Sequence, residues 1–188
     1  DYREAGAMRT IKQVANGVDQ LGVIRYQTIY ESNFFNALTE HSLQVEPIWE
    51  FASVALMSRN HPLSSQPTVQ EADLLPYAEI FYGDATIPSL PINQAREIAQ
   101  AAETKKTITV YERASQLELL SRLESAYALT SPMPQDVLGR FGLVQKRCDM
   151  PNNTFRDVLI YRAGYHMTRL DRLFIEKLRE VAKRVLPE

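Results

Sequence analysis

Apolar positions along this chain fall into helical stripes and short unbroken runs by turns, the pattern of strands flanked by helices. Met8, Ile11, Val14 and Ala15 share one helical stripe, and Asn16-Gly17 supplies the left-handed residues that end it. Val18 to Tyr26 reads as a strand containing Gly22, and Gln27-Thr28-Ile29 as the loop at its carboxyl end. A short helix carrying Phe34, Phe35 and Leu38 follows. Leu43 to Arg59 then reads as one long strand region, in which Ala52, Val54, Leu56 and Met57 form a run buried on at least one face. It stops at Asn60-His61-Pro62-Leu63, where Pro62 lacks a ladder donor and holds the preceding residues out of a helix.

The alternation continues past the proline. Tyr77 to Tyr82 is a strand ended by Gly83-Asp84, and Asn93 to Glu103 is a helix with Ala95, Ile98, Ala99 and Ala102 on one side. Thr107 to Tyr111 is β-branched and aromatic, hence a strand. Ser115 with Glu118 forms a capping box that opens a helix through Leu119, Leu120 and Leu123. Ala126 to Thr130, Leu143 to Arg147 and Phe155 to Tyr161 are further strands, the last two joined by the turn Met150-Pro151-Asn152-Asn153. Thr168 with Asp171 is a second capping box, opening the most periodic helix: Leu170, Phe174, Leu178, Val181 and Val185. Strands alternating with helices predict an α/β fold with mostly parallel sheets.

Composition narrows the function classes. With 188 residues, 45% hydrophobic and 23% charged, the chain has material for one domain or two small lobes. A net charge of -2 argues against direct nucleic-acid binding, which needs clustered Lys and Arg. The single cysteine, Cys148, excludes an internal disulfide and reads as a buried reduced thiol, pointing to a cytoplasmic protein. No signal peptide is evident, and no apolar run approaches the roughly 20 residues of a membrane span. The start at Asp1-Tyr2-Arg3-Glu4 reads as that of a piece of a longer protein.

Catalytic and metal-binding signatures are absent from the sequence. His41, His61 and His166 lie far apart, without carboxylate or Cys at ligand spacing, so no metal and no cofactor is expected. Asn152-Asn153-Thr154 reads as a turn and Lys105-Lys106 as a solvated helix end. No enzyme is expected.

The helix followed by Asn-Gly and a strand with an early Asp19, the strand closed by His61-Pro62-Leu63, and the later Ala72-Asp73-Leu74 together resemble the effector-binding domain of LysR-type transcriptional regulators. The resemblance runs in order through nearly the whole chain, and the Leu-Asp-Arg-Leu-Phe-Ile start of the last helix is similar to the family's terminal helix on lobe one. It implies a type 2 periplasmic-binding-protein-like fold of two lobes, each a mixed, mostly parallel sheet flanked by helices, linked by two hinge crossovers. Lobe one takes residues 1–66 and 143–188 and lobe two residues 67–142. Family members begin lobe one with a strand and helix that precede this chain's start, and their helix-turn-helix DNA-binding domain is not in this sequence. They also carry a small-Gly-x-Gly turn where Leu123-Glu124-Ser125-Ala126 stands here.

In open α/β sheets ligands bind beyond the carboxyl ends of strands, near helix amino termini. The candidate effector-binding residues are therefore Gln27 and Thr28 from lobe one, with Gly83, Asp84, Ala85, Arg113, Ser115 and Ser131 from lobe two, facing an interlobe cleft. Arg113 suits a carboxylate or phosphate, Gly83 a close backbone approach. Taken singly, Ser115 reads first as a helix cap and Asp84 as a turn residue, and the set points to the cleft more than any one member does. The resemblance further implies a homodimer or homotetramer, with Leu117, Leu119, Leu120 and Leu123 as the candidate dimer interface or, alternatively, as core. The partners it implies are a small-molecule effector, promoter DNA through the missing helix-turn-helix domain, and RNA polymerase. The rivals on the same fold are a solute-binding protein of a transport system and an enzyme, for which Asp84 and Arg113 alone are too few to name a reaction.

Overall fold

The computed structural model describes residues 1–84, 86–103 and 105–185. In chain order the elements are α1 (Ala7–Ala15), β1 (Leu21–Gln27), a 3-10 turn (Thr28–Tyr30), α2 (Glu31–Glu40), β2 (Leu43–Ala52), β3 (Val54–Ser58), β4 (Thr68–Gln70) and α3 (Glu71–Leu74). There follow β5 (Ala78–Tyr82), α4 (Ile92–Glu103), β6 (Thr107–Val110), α5 (Arg113–Arg122), β7 (Ala126–Thr130), α6 (Gln135–Phe141), β8 (Leu143–Asp149), β9 (Thr154–Arg162) and α7 (Arg169–Val185). No helix among the described residues is long and apolar enough to cross a membrane. The chain divides into unit 1, Asp1–Phe51 with Asp84–Ser89 and Thr154–Glu188, and unit 2, Ala52–Gly83 with Leu90–Asn153.

Unit 1 is built on the sheet β1-β9-β2. β1 runs antiparallel to β9 from Leu21 opposite Tyr161 to Gln27 opposite Phe155, so this pairing departs from the parallel order expected. The α1 stripe buries Ile11 and Val14 against Ile24, Tyr26, Val158 and Ile160, and α2 adds Phe34 and Leu38. Asn16 closes α1 and Gly17 takes φ +73°, as the Asn-Gly pair predicts. Gly22 is needed for contact: a Cβ there would lie 2.6 Å from Thr10 Cγ2 and 3.0 Å from Ile160 Cγ1. Gly22→Val is accordingly expected to lift α1 from β1 and destabilise unit 1 by roughly 1–3 kcal/mol in urea unfolding.

The last helix turns a different side inward than its periodicity suggests. Its capping box forms, with Thr168 N–H donating to Asp171 Oδ2 at 2.7 Å and Asp171 N–H to Thr168 Oγ1 at 3.2 Å. Yet Ile175 and Ala182 are the buried residues, while Leu170 and Val181 are 73% and 48% exposed. Arg179 donates to Glu46 Oε2 at 2.9 Å, and Tyr161 donates to Glu46 Oε1 at 2.7 Å. The apolar residues of α7 cover more than one face, so their spacing alone did not select the packed one.

Unit 2 is a sheet of order β4-β8-β3-β7-β5-β6. β3 lies inside it, antiparallel to β7 and β8, and all five of its residues are buried. That explains its unbroken apolar run: a strand covered on both faces has no reason to alternate. Leu56 faces Ile80, Leu120, Leu138 and Leu143, while Ala55 and Met57 face Leu63, Val69, Leu74 and Cys148. β5 runs parallel to both β6 and β7, and β4 parallel to β8.

Three expectations change. The predicted Leu43–Arg59 strand breaks at Ser53 into β2 and β3, which join different sheets. The Ser53 N–H goes to Asn153 O at 3.0 Å, and Asn153 Nδ2 returns bonds to Ser53 O at 3.0 Å and Cys148 O at 2.9 Å. The expected lobe boundaries at 66 and 143 move to Phe51 and Asn153, because β3 and β8 pair with each other inside unit 2. Residues Asp84–Ser89, expected in lobe two, belong to unit 1: Asn33 Nδ2 donates to Pro88 O at 3.1 Å and Ile87 packs on the α1–α2 core.

Candidate functional site

The parallel strands of unit 2 bring several predicted residues to one edge of its sheet. β5, β6 and β7 end together at Tyr82, Val110 and Thr130, and Gly83, Arg113 and Ser131 follow them. Gly83 donates its N–H to Val110 O at 2.8 Å, and a Cβ on it would meet Thr109 Cγ2 at 2.5 Å. Close backbone approach to β6 therefore requires glycine here. Arg113 opens α5 with its side chain exposed, the guanidinium 5.7 Å over the Tyr82 ring. Ser131 accepts at its carbonyl from Thr130 Oγ1 at 3.0 Å.

Ser115 is not a helix cap. Arg113 and Ala114 are already helical, so α5 starts earlier than the motif predicts and Ser115 sits exposed in its first turn. Glu118 pairs instead with Arg122, whose Nε donates at 2.8 Å. Glu112, at the N-cap, makes no side-chain cap bond, so no side chain in that position closes the first-turn N–H groups. A residue the sequence reading passed over anchors this helix: Gln116, 5% exposed, donates Nε2 to Ile80 O at 2.9 Å. Three of the four leucines lie on α5, and Leu123 is its C-cap. Leu120 is inside the unit 2 core, and Leu117, Leu119 and Leu123 pack against it.

In unit 1, Gln27 ends β1 opposite Phe155, and Thr28 Oγ1 donates to Thr154 O at 3.2 Å. Asp84 is engaged: its Oδ2 accepts the Gly6 N–H at 3.0 Å, at the amino end of α1. Ala85 lies outside the described residues. The same end of β1 carries charges that the sequence did not signal. Arg156 on β9 pairs with Glu31 and donates to Glu50 Oε2 at 3.0 and 2.6 Å, while the Tyr26 hydroxyl donates to Glu31 at 3.4 Å. Burial, then the charge of Glu31, pushes the Tyr26 phenol up from its ordinary value. These partners are far apart in sequence, and only strand pairing joins them.

A groove of about 590 Å³ lies along α7 beside the Glu46–Arg179 pair, lined by charges of both signs, and holds none of the predicted residues. Among the described residues, no three His, Cys, Asp or Glu side chains group as a metal site.

No protein-family model and no curated protein matches the sequence. Solved structures do. The effector binding domain of QuiR in complex with shikimate aligns at a TM-score of 0.65 and 16% identity, over 99% of this chain and 83% of that one. The regulatory domain of CcmR from Synechocystis, in complex with 2-PG, aligns at 0.57 and 16% identity, over 95% and 80%. The regulatory domain of MetR, a LysR family regulator from N. meningitidis, aligns at 0.56 and 12% identity, over 94% and 76%. The chain has the LysR effector-domain fold. This is the type 2 periplasmic-binding-protein-like architecture, carried here at an identity that speaks for fold alone.

Proposed function

We propose that this chain is the ligand-sensing part of a LysR-type transcription regulator and takes a small anionic metabolite at the strand ends of unit 2. One observation carries the reading. The first turn of α5 has no side-chain cap at Glu112, and Arg113 and Ser115 lie exposed on it at the carboxyl end of β6. First-turn N–H groups, a guanidinium and a hydroxyl form a donor set for a carboxylate or phosphate. Gly83 and Ser131 stand at the ends of the neighbouring strands β5 and β7. Asp84, the one acid among the candidates, belongs to unit 1 and accepts the Gly6 N–H there.

Binding would act by favouring one of two conformations, as it must if it is to control promoter binding by an attached helix-turn-helix domain. Assembly as a homodimer or homotetramer, with promoter DNA and RNA polymerase as partners of the longer protein, belongs to the same reading. A thermal-shift screen of small carboxylates and phosphorylated acids tests it. A stabilising ligand is expected whose affinity falls roughly 10-fold or more in Arg113→Ala, by loss of a charge-assisted hydrogen bond, and less in Ser115→Ala. A ligand indifferent to both changes would place the effector elsewhere.

A further inference from the structure

The His-Pro-Leu turn after β3 holds a buried titratable group that the proposed site does not use. His61 is 1% exposed. Its Nδ1 accepts the Leu63 N–H at 3.0 Å, its backbone N–H donates to Ser58 O at 3.0 Å, and its carbonyl accepts the Ser64 N–H at 2.8 Å. Pro62 has no N–H to offer, so Leu63 supplies the first donor beyond the imidazole. Leu63 in turn is 7% exposed and packs with Val69 of β4 and Leu74 of α3. Nε2 is buried and, among the described residues, has no hydrogen-bond partner; the ring lies 4.4 Å from that of Tyr77.

A neutral imidazole carries one N–H. With Nδ1 accepting, that proton sits on Nε2. Adding a second proton puts an N–H on Nδ1, aimed at the N–H of Leu63, and leaves a charge in an apolar cluster. We propose that His61 is an acid-sensitive latch: its neutral ring holds the β3–β4 turn of unit 2 closed, and protonation at Nδ1 releases it. The released part is the edge of the sheet, where β4 pairs with β8 over only Thr68–Gln70.

The groups around the ring do not favour its protonation. Tyr77 presents its ring; Tyr127 of β7 and Cys148 of β8 are both pushed up by burial and stay uncharged. The carboxylates of Glu71, Glu79 and Asp149 act on Cys148 rather than on His61. On the turn itself, Asn60 holds Glu124 at 3.0 Å, and Arg59 lies beside Gly142. Burial lowers the His61 pKa from its ordinary 6.5. The sign follows: a base depressed on folding contributes stability that is complete above the unfolded value of 6.5 and drains away as pH falls toward the folded value.

Urea unfolding of the whole chain at about pH 7.5 and about pH 5.5 tests this, with His61→Asn as the variant that keeps an acceptor for Leu63 but cannot titrate. The wild-type midpoint is expected to fall by roughly 0.5 M on acidification, and most of that fall to vanish in His61→Asn. His41→Asn and His166→Asn, at exposed positions, should retain it. Should His61→Asn fail to fold, imidazole 15N spectra of the wild type decide instead, with an Nε2–H tautomer expected that titrates below the ordinary 6.5. An Nδ1–H tautomer, a pH-independent midpoint, or a fall undiminished in His61→Asn would overturn the latch.

Discussion

Replacing Asp157 with alanine is expected to destabilise unit 1 by about 3 kcal/mol, toward the lower end of what breaking a buried ion pair costs. Asp157 on β9 is 7% exposed, and its carboxylate accepts three hydrogen bonds. Oδ1 receives Arg25 Nε at 2.7 Å; Oδ2 receives Arg25 Nη2 at 2.8 Å and Trp49 Nε1 at 2.7 Å. One side chain thus ties β1 and β2 to the strand between them. Removing it strands the indole N–H and a guanidinium that lies 4.7 Å over the Phe51 ring. Arg25 keeps 29% of its side-chain surface in solvent, which lets it rehydrate and holds the loss below the fully buried limit. Asp157→Asn, which can still accept one bond, should lose about half as much. Trp49 is the only tryptophan, so its fluorescence during urea unfolding reports on this network directly. A loss under about 1 kcal/mol in Asp157→Ala would mean that the triad contributes no more than a surface pair.

Leu56→Ala should weaken unit 2 by about 3–4 kcal/mol. Leu56 is fully buried in β3, between Ile80, Leu120, Leu138 and Leu143, which come from β5, α5, α6 and β8. Strands on either side hold the backbone in place, so the cavity has little freedom to collapse. Leu56→Val, which removes one methylene, should cost about 1 kcal/mol. Far-UV circular dichroism is the suitable probe, since the tryptophan belongs to unit 1. A cost below about 1 kcal/mol for the alanine would show that β3 is not the core strand of unit 2.

The pattern of apolar residues made most elements readable because burial on one or two faces writes directly into sequence. The α1 stripe, the two-faced run of β3 and the strand Ala126–Thr130 all appear where expected. The Thr168 capping box appears as well, since a cap is a local interaction that needs nothing from the rest of the chain. What escaped was decided by distant partners. Ser53 interrupts an extended stretch only because Asn153 binds it. Ser115 satisfies a capping motif, but Arg113 and Ala114 tolerate helix and move the start away from it.

The candidate site divides the same way. Gly83, Arg113 and Ser131 follow neighbouring parallel strands, a relation that strand order and helix alternation already imply. Asp84 is recruited by α1, and Arg156 meets Glu31 and Glu50 through pairing across unit 1, neither of which leaves a mark in local sequence. Long polar side chains reach partners that no periodicity encodes.

Amide chemical-shift mapping with a small anion found by thermal shift would question the proposed role most directly. Saturable shifts concentrated at Gly83, Arg113, Ser115 and Ser131 are the predicted result. Shifts confined to the α7 groove around Glu46 and Arg179, with the α5 amino end silent, would contradict it.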